Sequence, residues 1–346
     1  MKTHILNKIF KENLKYLPKW HGALANHVSM AAVAMFTMKE WVPIDDSQIE
    51  KQAQKYMENL TSLRTISSSI DLHQLDWEMQ KNLLGYDEYY ESWKSFFLKE
   101  FSDKDTKEVI CIWLDRLGIG MSAAAGHSII RLAYALMAEP NLEREVFIEE
   151  IATCLGDYAS RYFPLSDKNP EKDSSQKIPL DQYILEHPPL SEEKLSILSS
   201  CSLIEDKYYL CRNFPEFHQA LAQVNTGISF EPVLRNLSSI AVTNPNFALL
   251  HCITLGHALL YLYDKLPEFN KVSLSQGYRD FVIAALLCNN LSIKPFENKD
   301  VTLKQVYRQV SDLQNDHSQK IVFSLTELYK RYSSPLYLEA ALSYIK

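Results

Sequence analysis

The sequence predicts an all-α protein, built as a multi-helix bundle with two related helical lobes around a histidine-lined centre. Only nine glycines occur in 346 residues, too few for the tight turns of barrels, sandwiches and nucleotide-binding sheets. Apolar residues recur at helical spacing along most of the chain. The content of 46% hydrophobic and 23% charged residues is typical of globular chains that fold.

The first part of the chain carries five predicted helical regions. Residues 23–41 are small or apolar nearly all round, which is typical of a buried helix. Asp45 supplies an N-cap for a more amphipathic helix that extends to about Leu60. The other three regions are an aromatic-rich segment, a long apolar stretch interrupted by three glycines, and an amphipathic segment: 87–101, 109–137 and 143–162.

A proline-rich stretch separates the two predicted lobes. Five prolines lie within 163–190 and exclude a long helix there, so the stretch is predicted to connect a lobe at 1–162 with a lobe at 191–346. One integrated domain is the alternative. The helices predicted beyond the connection are 192–198, 217–224, 247–266, 276–288 and 303–333. Gly126-His127 and Gly256-His257 each precede an apolar run, and this echo supports related lobes.

Charge and cysteine spacing narrow the function classes. The net charge of −7 and the absence of a long basic run argue against nucleic acid and anionic membranes as partners. None of the six cysteines forms a CxxC pair, so zinc knuckles and redox dithiols have no signature. The N-terminus does not resemble a signal peptide, and no uncharged apolar run reaches 18 residues. We therefore expect a cytoplasmic protein without membrane spans.

One glycine pattern resembles a dinucleotide fingerprint. Gly118, Gly120 and Ala123 form a GxGxxA after the strand-like run 109–114. Three residues separate that run from the first glycine, and no series of strands is present to build the sheet. A helix–helix junction of small residues is the preferred interpretation. The pattern is the sequence's sole support for NADPH as a cofactor.

Four histidines lie in small-residue or apolar stretches, namely His27, His127, His251 and His257. Imidazole is a common ligand of iron, copper and zinc, and a helical interior can bring several such rings together. The standard HExxH and Glu-x-x-His motifs are absent. Five further histidines have polar neighbours and are predicted at the surface, and His21 is ambiguous; the five are His4, His73, His187, His218 and His317.

Helix geometry limits this hypothesis. His251 and His257 are six residues apart, about 9 Å of rise and roughly 120° around a regular helix, so both reach one ion only if the backbone is distorted. Nearby candidates for orienting the ligand rings are Asn26, Ser128 and Thr254. Arg131 and Tyr134 share a face with His127. A buried Arg131 either holds an anionic oxygen of a ligand or pairs with an acidic side chain.

Three blocks in order resemble the helical signatures of the questin oxidase-like family. They begin at Asn26-His27, at Gly126-His127-Ser-Ile-Ile-Arg131, and at Leu250-His251-Cys-Ile-Thr-Leu-Gly-His257. The similarity spans about residues 20–290, with identities confined to these blocks.

This resemblance implies an all-helical oxidoreductase that uses dioxygen for Baeyer–Villiger-type or ring-cleaving oxidation of an aromatic polyketide such as an anthraquinone. It implies non-haem iron, Fe²⁺, held by His27, His127, His251 and His257, with Arg131 and Tyr134 in catalytic positions. An NADPH-dependent, metal-free oxidoreductase of the same family and a non-catalytic helical binding protein are the alternatives.

Overall fold

A computed structural model describes residues 4–20, 24–60, 70–167, 177–266, 271–294, 301–310 and 315–345. Within these ranges the chain forms eighteen α-helices, several short 3₁₀ turns and one two-stranded antiparallel sheet. The predicted all-α bundle is confirmed. The sheet pairs β1 (Lys19–Trp20) with β2 (Leu24–Ala25).

The helices of the first half include two that later carry the site. The eight helices are α1 (His4–Asn13), α2 (Val28–Met38), α3 (Asp46–Met57), α4 (Trp77–Lys81), α5 (Tyr90–Asp103), α6 (Thr106–Leu117), α7 (His127–Ala138) and α8 (Arg144–Ser160). Asp45 caps α3 as predicted, in a capping box with Gln48. The strand-like run 109–114 belongs to α6, whose N-terminus Asp105 caps, in agreement with the preferred interpretation of a helix–helix junction. Val109 and Ile110 are buried on this helix, and Ile112 is 38% exposed.

The second half contributes ten helices. They are α9 (Leu180–Glu186), α10 (Glu192–Ser199), α11 (Ile204–Cys211), α12 (Pro215–Gln223), α13 (Phe230–Thr243), α14 (Phe247–Lys265), α15 (Val272–Asn289), α16 (Leu303–Val310), α17 (Asp316–Tyr332) and α18 (Leu336–Ser343). The predicted connection 163–190 contains the short α9, and its residues 168–176 lie outside the described ranges. The predicted helix 303–333 consists of α16 and α17, with 311–314 likewise outside.

Four helices form the centre of the molecule. α2 packs on α7, α7 on α14, α14 on α17, and α17 back on α2, so the four close a ring. The four helices run in the same direction. Histidine rings near their N-terminal ends are in contact. At the other end, Lys330 near the C-terminus of α17 lies over Trp41, just beyond the C-terminus of α2. Parallel neighbours require long connections, and the remaining helices supply them.

The two predicted lobes contribute to one hydrophobic core. Helices α2 and α7 come from the first lobe and α14 and α17 from the second, and buried residues from Ile5 to Ala341 belong to one apolar cluster. The Gly-His echo does not mark equivalent positions. Gly126 is the N-cap of α7, whereas Gly256 lies inside α14, where it contacts Tyr278 and Leu234 closely.

The GxGxxA glycines serve packing between helices. Gly118 and Gly120 form a 3₁₀ turn after α6. A Cβ atom on Gly118 would lie 2.7 Å from the backbone nitrogen of Leu274 in α15, and one on Gly120 would lie 2.1 Å from the ring of Tyr162. The preferred interpretation, a junction of small residues, agrees with these contacts.

One helix in the described part of the chain, α14, is long and apolar enough to cross a membrane by length and composition. Of its most apolar 18-residue window, 78% is buried inside the protein. This burial is what the central helix of a folded bundle shows, because an apolar helix surrounded by other helices needs no lipid to cover it.

Candidate metal centre

The N-terminal ends of the four central helices meet at one place. His27 is the N-cap of α2, His127 is the first residue of α7, and His317 is the second residue of α17. His251 lies in the second turn of α14. Their rings contact one another, with centroid separations from 4.4 to 6.1 Å. We call these four residues the histidine cluster.

The Nε2 atom of His127 lies close to the Nε2 atoms of two other cluster residues. His127 Nε2 lies 2.7 Å from His27 Nε2 and 3.3 Å from His251 Nε2. Two nitrogens bound to one ion at about 2.1 Å lie about 3.0–3.4 Å apart, so each of these two separations is close to that of a pair of ligands on one ion. A ring nitrogen of His317 lies within 4.8 Å of ring nitrogens of His27 and His127.

The other ring nitrogen of each of these three histidines has its own acceptor. His251 Nδ1 lies 2.7 Å from the carbonyl oxygen of Phe247, His127 Nδ1 is hydrogen-bonded to the carbonyl oxygen of Ala124, and His27 Nδ1 is hydrogen-bonded to the Asp316 carboxylate. A carbonyl or carboxylate oxygen accepts, so the proton belongs on Nδ1. Each Nε2 therefore presents a lone pair to the centre of the cluster.

Asp316 and His317 were not predicted for the site. The Asp316 carboxylate accepts from His27 and also contacts His317 Nδ1 at 3.2 Å. His317 Nε2 is buried and has no hydrogen-bond partner within the described ranges. The prediction that His317 is a surface residue was wrong, because its polar neighbours Asn315 and Ser318 belong to the N-terminal turn of α17. A polar turn at a helix N-terminus resembles an exposed segment in sequence.

Lys320 is a second group that sequence reasoning missed. Its side chain is buried, 1% exposed, with Nζ 3.3 Å from His127 Nε2. Burial lowers the pKa of Lys320 to about 8, although the nearby Asp316 carboxylate opposes the shift. The amine is thus a proton donor to His127 in its charged form and a nitrogen donor in its neutral form.

Burial and positive surroundings keep the cluster neutral. Burial, followed by the charge of Lys320, lowers the pKa of His27 to about 3 and that of His127 well below its usual range. Burial likewise lowers the pKa of His251 and His317. Burial opposes the ionised form of Asp316, but hydrogen bonds from His27 and His317 hold its pKa well below the usual range. Neutral imidazoles beside one carboxylate are the protonation states that a metal ion needs.

The cluster opens onto a cavity of about 610 Å³. This volume is typical of sites for small organic molecules. Its walls include apolar and aromatic side chains such as Leu24, Tyr56 and Phe247, and His27, His127 and His317 reach its surface. Phe247 is half exposed, and its ring lies 4.3 Å from the ring of His251 and 4.9 Å from that of His317.

His257 and Tyr134 lie apart from the cluster, about two helical turns further along α14 and α7. His257 Nδ1 is 3.1 Å from Ser324 Oγ, and the Phe323 ring lies between 5 and 6 Å from both the His257 and the Tyr134 ring. We call Tyr134, His257 and Ser324 the sealed layer. The structure therefore brings His27, His127 and His251 together and leaves out His257, as the helix geometry indicated for a regular helix.

Arg131 lies in a buried ion pair. Its Nε and Nη2 atoms are 2.7 and 2.9 Å from the two carboxylate oxygens of Glu150 in α8, which is fully buried. A two-point contact of this kind fixes the guanidinium. Of the two alternatives for Arg131, the structure shows the one in which it pairs with an acidic side chain. The guanidinium to which the resemblance assigns a catalytic position is bound to Glu150.

The three residues expected to orient the ligand rings have other partners. Asn26 hydrogen-bonds Asn13 and the carbonyl of Leu17, Thr254 donates to the carbonyl of Leu250, and Ser128 donates to Asp157 at 2.7 Å. That prediction was wrong. The groups that accept from the Nδ1 atoms of His127 and His251 are backbone carbonyls, and the acceptor for His27 is Asp316. Every residue has a backbone carbonyl, so a sequence does not reveal which one serves as the acceptor.

No family model matches the chain, and a search of curated proteins finds no match. The similarity to the questin oxidase-like family therefore rests on the three histidine blocks. The geometry of those blocks is independent of any family assignment, because it follows from the contacts of His27, His127 and His251.

Proposed function

We propose that the protein is an oxidoreductase that uses dioxygen and a histidine-ligated non-haem iron to oxidise an aromatic small molecule, in the manner that the questin oxidase-like resemblance implies. One observation carries the proposal: ring nitrogens of His27, His127 and His317 lie within 4.8 Å of one another beside an apolar cavity of about 610 Å³. A structural histidine core needs no such opening.

The donor set fits a divalent transition metal. His27, His127 and His251 offer Nε2, and His317 offers a buried ring nitrogen that has no hydrogen-bond partner among the described residues. Imidazole suits iron, zinc and copper, and hydrogen bonds from Nδ1 to oxygen acceptors are the usual support of metal-bound histidine. Lone pairs as close as those on His27 Nε2 and His127 Nε2 repel each other unless an ion or a proton lies between them. Iron, when bound, would supply the binding and activation of dioxygen.

The protein's own side chains have separate tasks in this mechanism. Asp316 holds the proton on His27 Nδ1 and orients that ring. Phe247 offers an exposed aromatic face beside the cluster, where a substrate ring can stack. The apolar walls exclude water from the substrate. Lys320 holds a proton between its Nζ and His127 Nε2, and that contact must break when the same lone pair binds an ion.

Metal content and oxygen uptake test the proposal. Tag-free protein is analysed by elemental mass spectrometry, reconstituted anaerobically with Fe²⁺, and assayed for oxygen consumption with a hydroxyanthraquinone. We expect near-stoichiometric iron and substrate-dependent oxygen uptake, both lost in His127→Ala. The matched control is His218→Ala, an exposed histidine outside the cluster, which should retain both.

The alternatives predict different results. NADPH consumption without bound metal would support the metal-free oxidoreductase instead. Failure of the wild-type protein to bind Fe²⁺ or to use oxygen or NADPH would overturn an oxidoreductase function and favour a helical binding protein.

A further inference from the structure

The backbone before His127 adopts an unusual conformation. Ala124, Ala125 and Gly126 have φ angles of +49°, +53° and +83°, all in the left-handed region. Glycine adopts this region freely, but each alanine there costs about 1–2 kcal/mol. Two consecutive left-handed alanines persist only where their surroundings hold them. We call residues 124–126 the left-handed turn.

A carboxylate lies against this turn. Helix α11 packs against the turn, and Glu205, its second residue, lines the same cavity as Ala124 and Ala125, close enough for their backbone N–H groups to act on its carboxylate. The Ala125 N–H also donates to the carbonyl oxygen of Ser122, at 3.1 Å. Consecutive left-handed residues direct successive N–H groups to one side and create a concave site for an anion. Arg161 binds the other side of the carboxylate, with Nη2 3.3 and 3.5 Å from the two oxygens.

The electrostatics of Glu205 reflect these contacts. Burial is the largest influence and raises the pKa of its carboxyl, while Arg161 and the backbone N–H groups of Ala124 and Ala125 lower it. The ionised form is therefore supported by the same groups that contact it. Removal of the carboxylate would take this acceptor from the Ala124 N–H, whereas the Ala125 N–H would keep the carbonyl oxygen of Ser122.

The left-handed turn also determines the state of His127. The carbonyl oxygen of Ala124 is hydrogen-bonded to His127 Nδ1, which places the ring proton on Nδ1 and leaves Nε2 free for the cluster. The direction of that carbonyl depends on the φ and ψ angles of the turn. A continuous set of contacts thus joins Arg161, Glu205, the turn and the His127 ring.

We propose that Glu205 is a positioning residue for the metal centre: its carboxylate holds the left-handed turn and thereby fixes the tautomer and direction of the His127 ring. The effect on metal affinity rests on the proposed function. The effect on the ring does not, because it concerns the metal-free protein.

The first test is nitrogen NMR of the histidine rings in the metal-free protein. In the wild type, His127 should carry its proton on Nδ1. Glu205→Ala should give a mixture of tautomers, and Glu205→Gln, which keeps an acceptor oxygen, should restore part of the wild-type state. The control is Asp206→Asn, an exposed acidic neighbour on the same helix, which should leave His127 unchanged.

The second test measures the affinity for Fe²⁺ and adds a rescue. Glu205→Ala should weaken binding about 10- to 100-fold, the range for loss of a group that supports a metal ligand. Placing glycine at both alanines, Ala124→Gly with Ala125→Gly, removes the steric cost of the turn. In that background the added effect of Glu205→Ala on the tautomer should become smaller.

The outcomes separate this inference from the proposed function. A wild-type protein that binds no Fe²⁺ would overturn the proposed function, and the tautomer of His127 would still decide the role of Glu205. An unchanged tautomer in Glu205→Ala would overturn the positioning role. An undiminished effect of Glu205→Ala in the glycine background would overturn it as well, because the carboxylate would then act by another route.

Discussion

Three of the four central helices contribute both to the histidine cluster and to the sealed layer, with different results. Helix α7 contributes His127 and then Tyr134, α14 contributes His251 and then His257, and α17 contributes His317 and then Ser324. The two sets are about 10 Å apart along the helices. Both are polar and largely buried, and only the first borders the cavity.

The difference shows what makes a buried histidine available for chemistry. In the sealed layer His257 Nδ1 pairs with Ser324, and the aromatic ring of Phe323 packs on His257 and Tyr134. In the cluster, His127 Nε2 lies beside His27 Nε2 and His251 Nε2, and the Nδ1 atom of each of these rings is already hydrogen-bonded. The cavity lies at the N-terminal ends of the four central helices, where these helices have no further turn to cover the histidine cluster.

The largest expected effect is on metal binding. His127→Ala should weaken the affinity for Fe²⁺ at least about 100-fold, because His127 Nε2 is the atom that contacts both His27 and His251. His257→Ala, in the sealed layer, should stay within about threefold of the wild type. Competition with a metal-binding dye measures both. Equal losses in the two variants would contradict the separation of the two layers.

The second effect is on stability as a function of pH. Burial lowers the pKa of His257 to about 4, against about 6.5 in the unfolded chain. Above pH 6.5, His257 is neutral in both the folded and the unfolded protein. As the pH falls from 6.5 towards 4, the unfolded state binds a proton that the folded state excludes, so the free energy of unfolding falls by about 3 kcal/mol.

Urea denaturation at pH 7 and at pH 4.5 measures this contribution. His257→Gln should show a smaller loss of stability between these values than the wild type. His218→Gln, an exposed histidine, serves as the control and should match the wild type. A pH dependence that is the same in all three proteins would mean that His257 is protonated in the folded state.

A smaller effect concerns the packing of the sealed layer. A Cβ atom on Gly256 would lie 2.3 Å from the hydroxyl of Tyr278 and 2.7 Å from Leu234, so Gly256→Ala should lower the free energy of unfolding by about 1–3 kcal/mol. Gly227→Ala is the control, because a Cβ atom there would contact only Asn225, at 3.7 Å. Fe²⁺ affinity should be unchanged in both, and loss of metal in Gly256→Ala would show that the layers are coupled.

The smallest effect is expected at the mouth of the cavity. Phe247→Leu removes the ring that packs on His251 and His317 and should weaken binding of a hydroxyanthraquinone about fivefold, equivalent to about 1 kcal/mol. Fluorescence titration measures the binding. Tyr86→Leu changes a similarly exposed aromatic outside the cavity and should have no effect, whereas equal weakening in both variants would place the ligand elsewhere.

Local patterns predicted much of the secondary structure. The cap at Asp45, the amphipathic segment 143–162 and the helical pattern over 247–266 correspond to α3, α8 and α14. The strand-like run 109–114 lies in α6, because β-branched residues occur in helices as well as in strands. Helices α1, α13 and α18 were not predicted, since short or interrupted apolar patterns are weaker signals.

Local sequence patterns also predicted part of the site. His27, His127 and His251 stood out because their neighbours are small or apolar, and the structure brings them together. His257 has similar neighbours and lies in the sealed layer. His317 and Asp316 have polar neighbours because they begin a helix, and no local feature distinguishes such a turn from an exposed loop.

The sequence by itself determined that the chain is helical, that it forms an extensive apolar core, and that several histidines are buried, because these properties depend on composition and on spacing within a helix. Only the tertiary structure decided which histidines meet. His27 and Asp316 are 289 residues apart and in contact, and the strained turn before His127 lies against Glu205, which is distant in the chain. Such contacts depend on the direction and neighbours of whole helices, which long-range packing sets and no local pattern encodes.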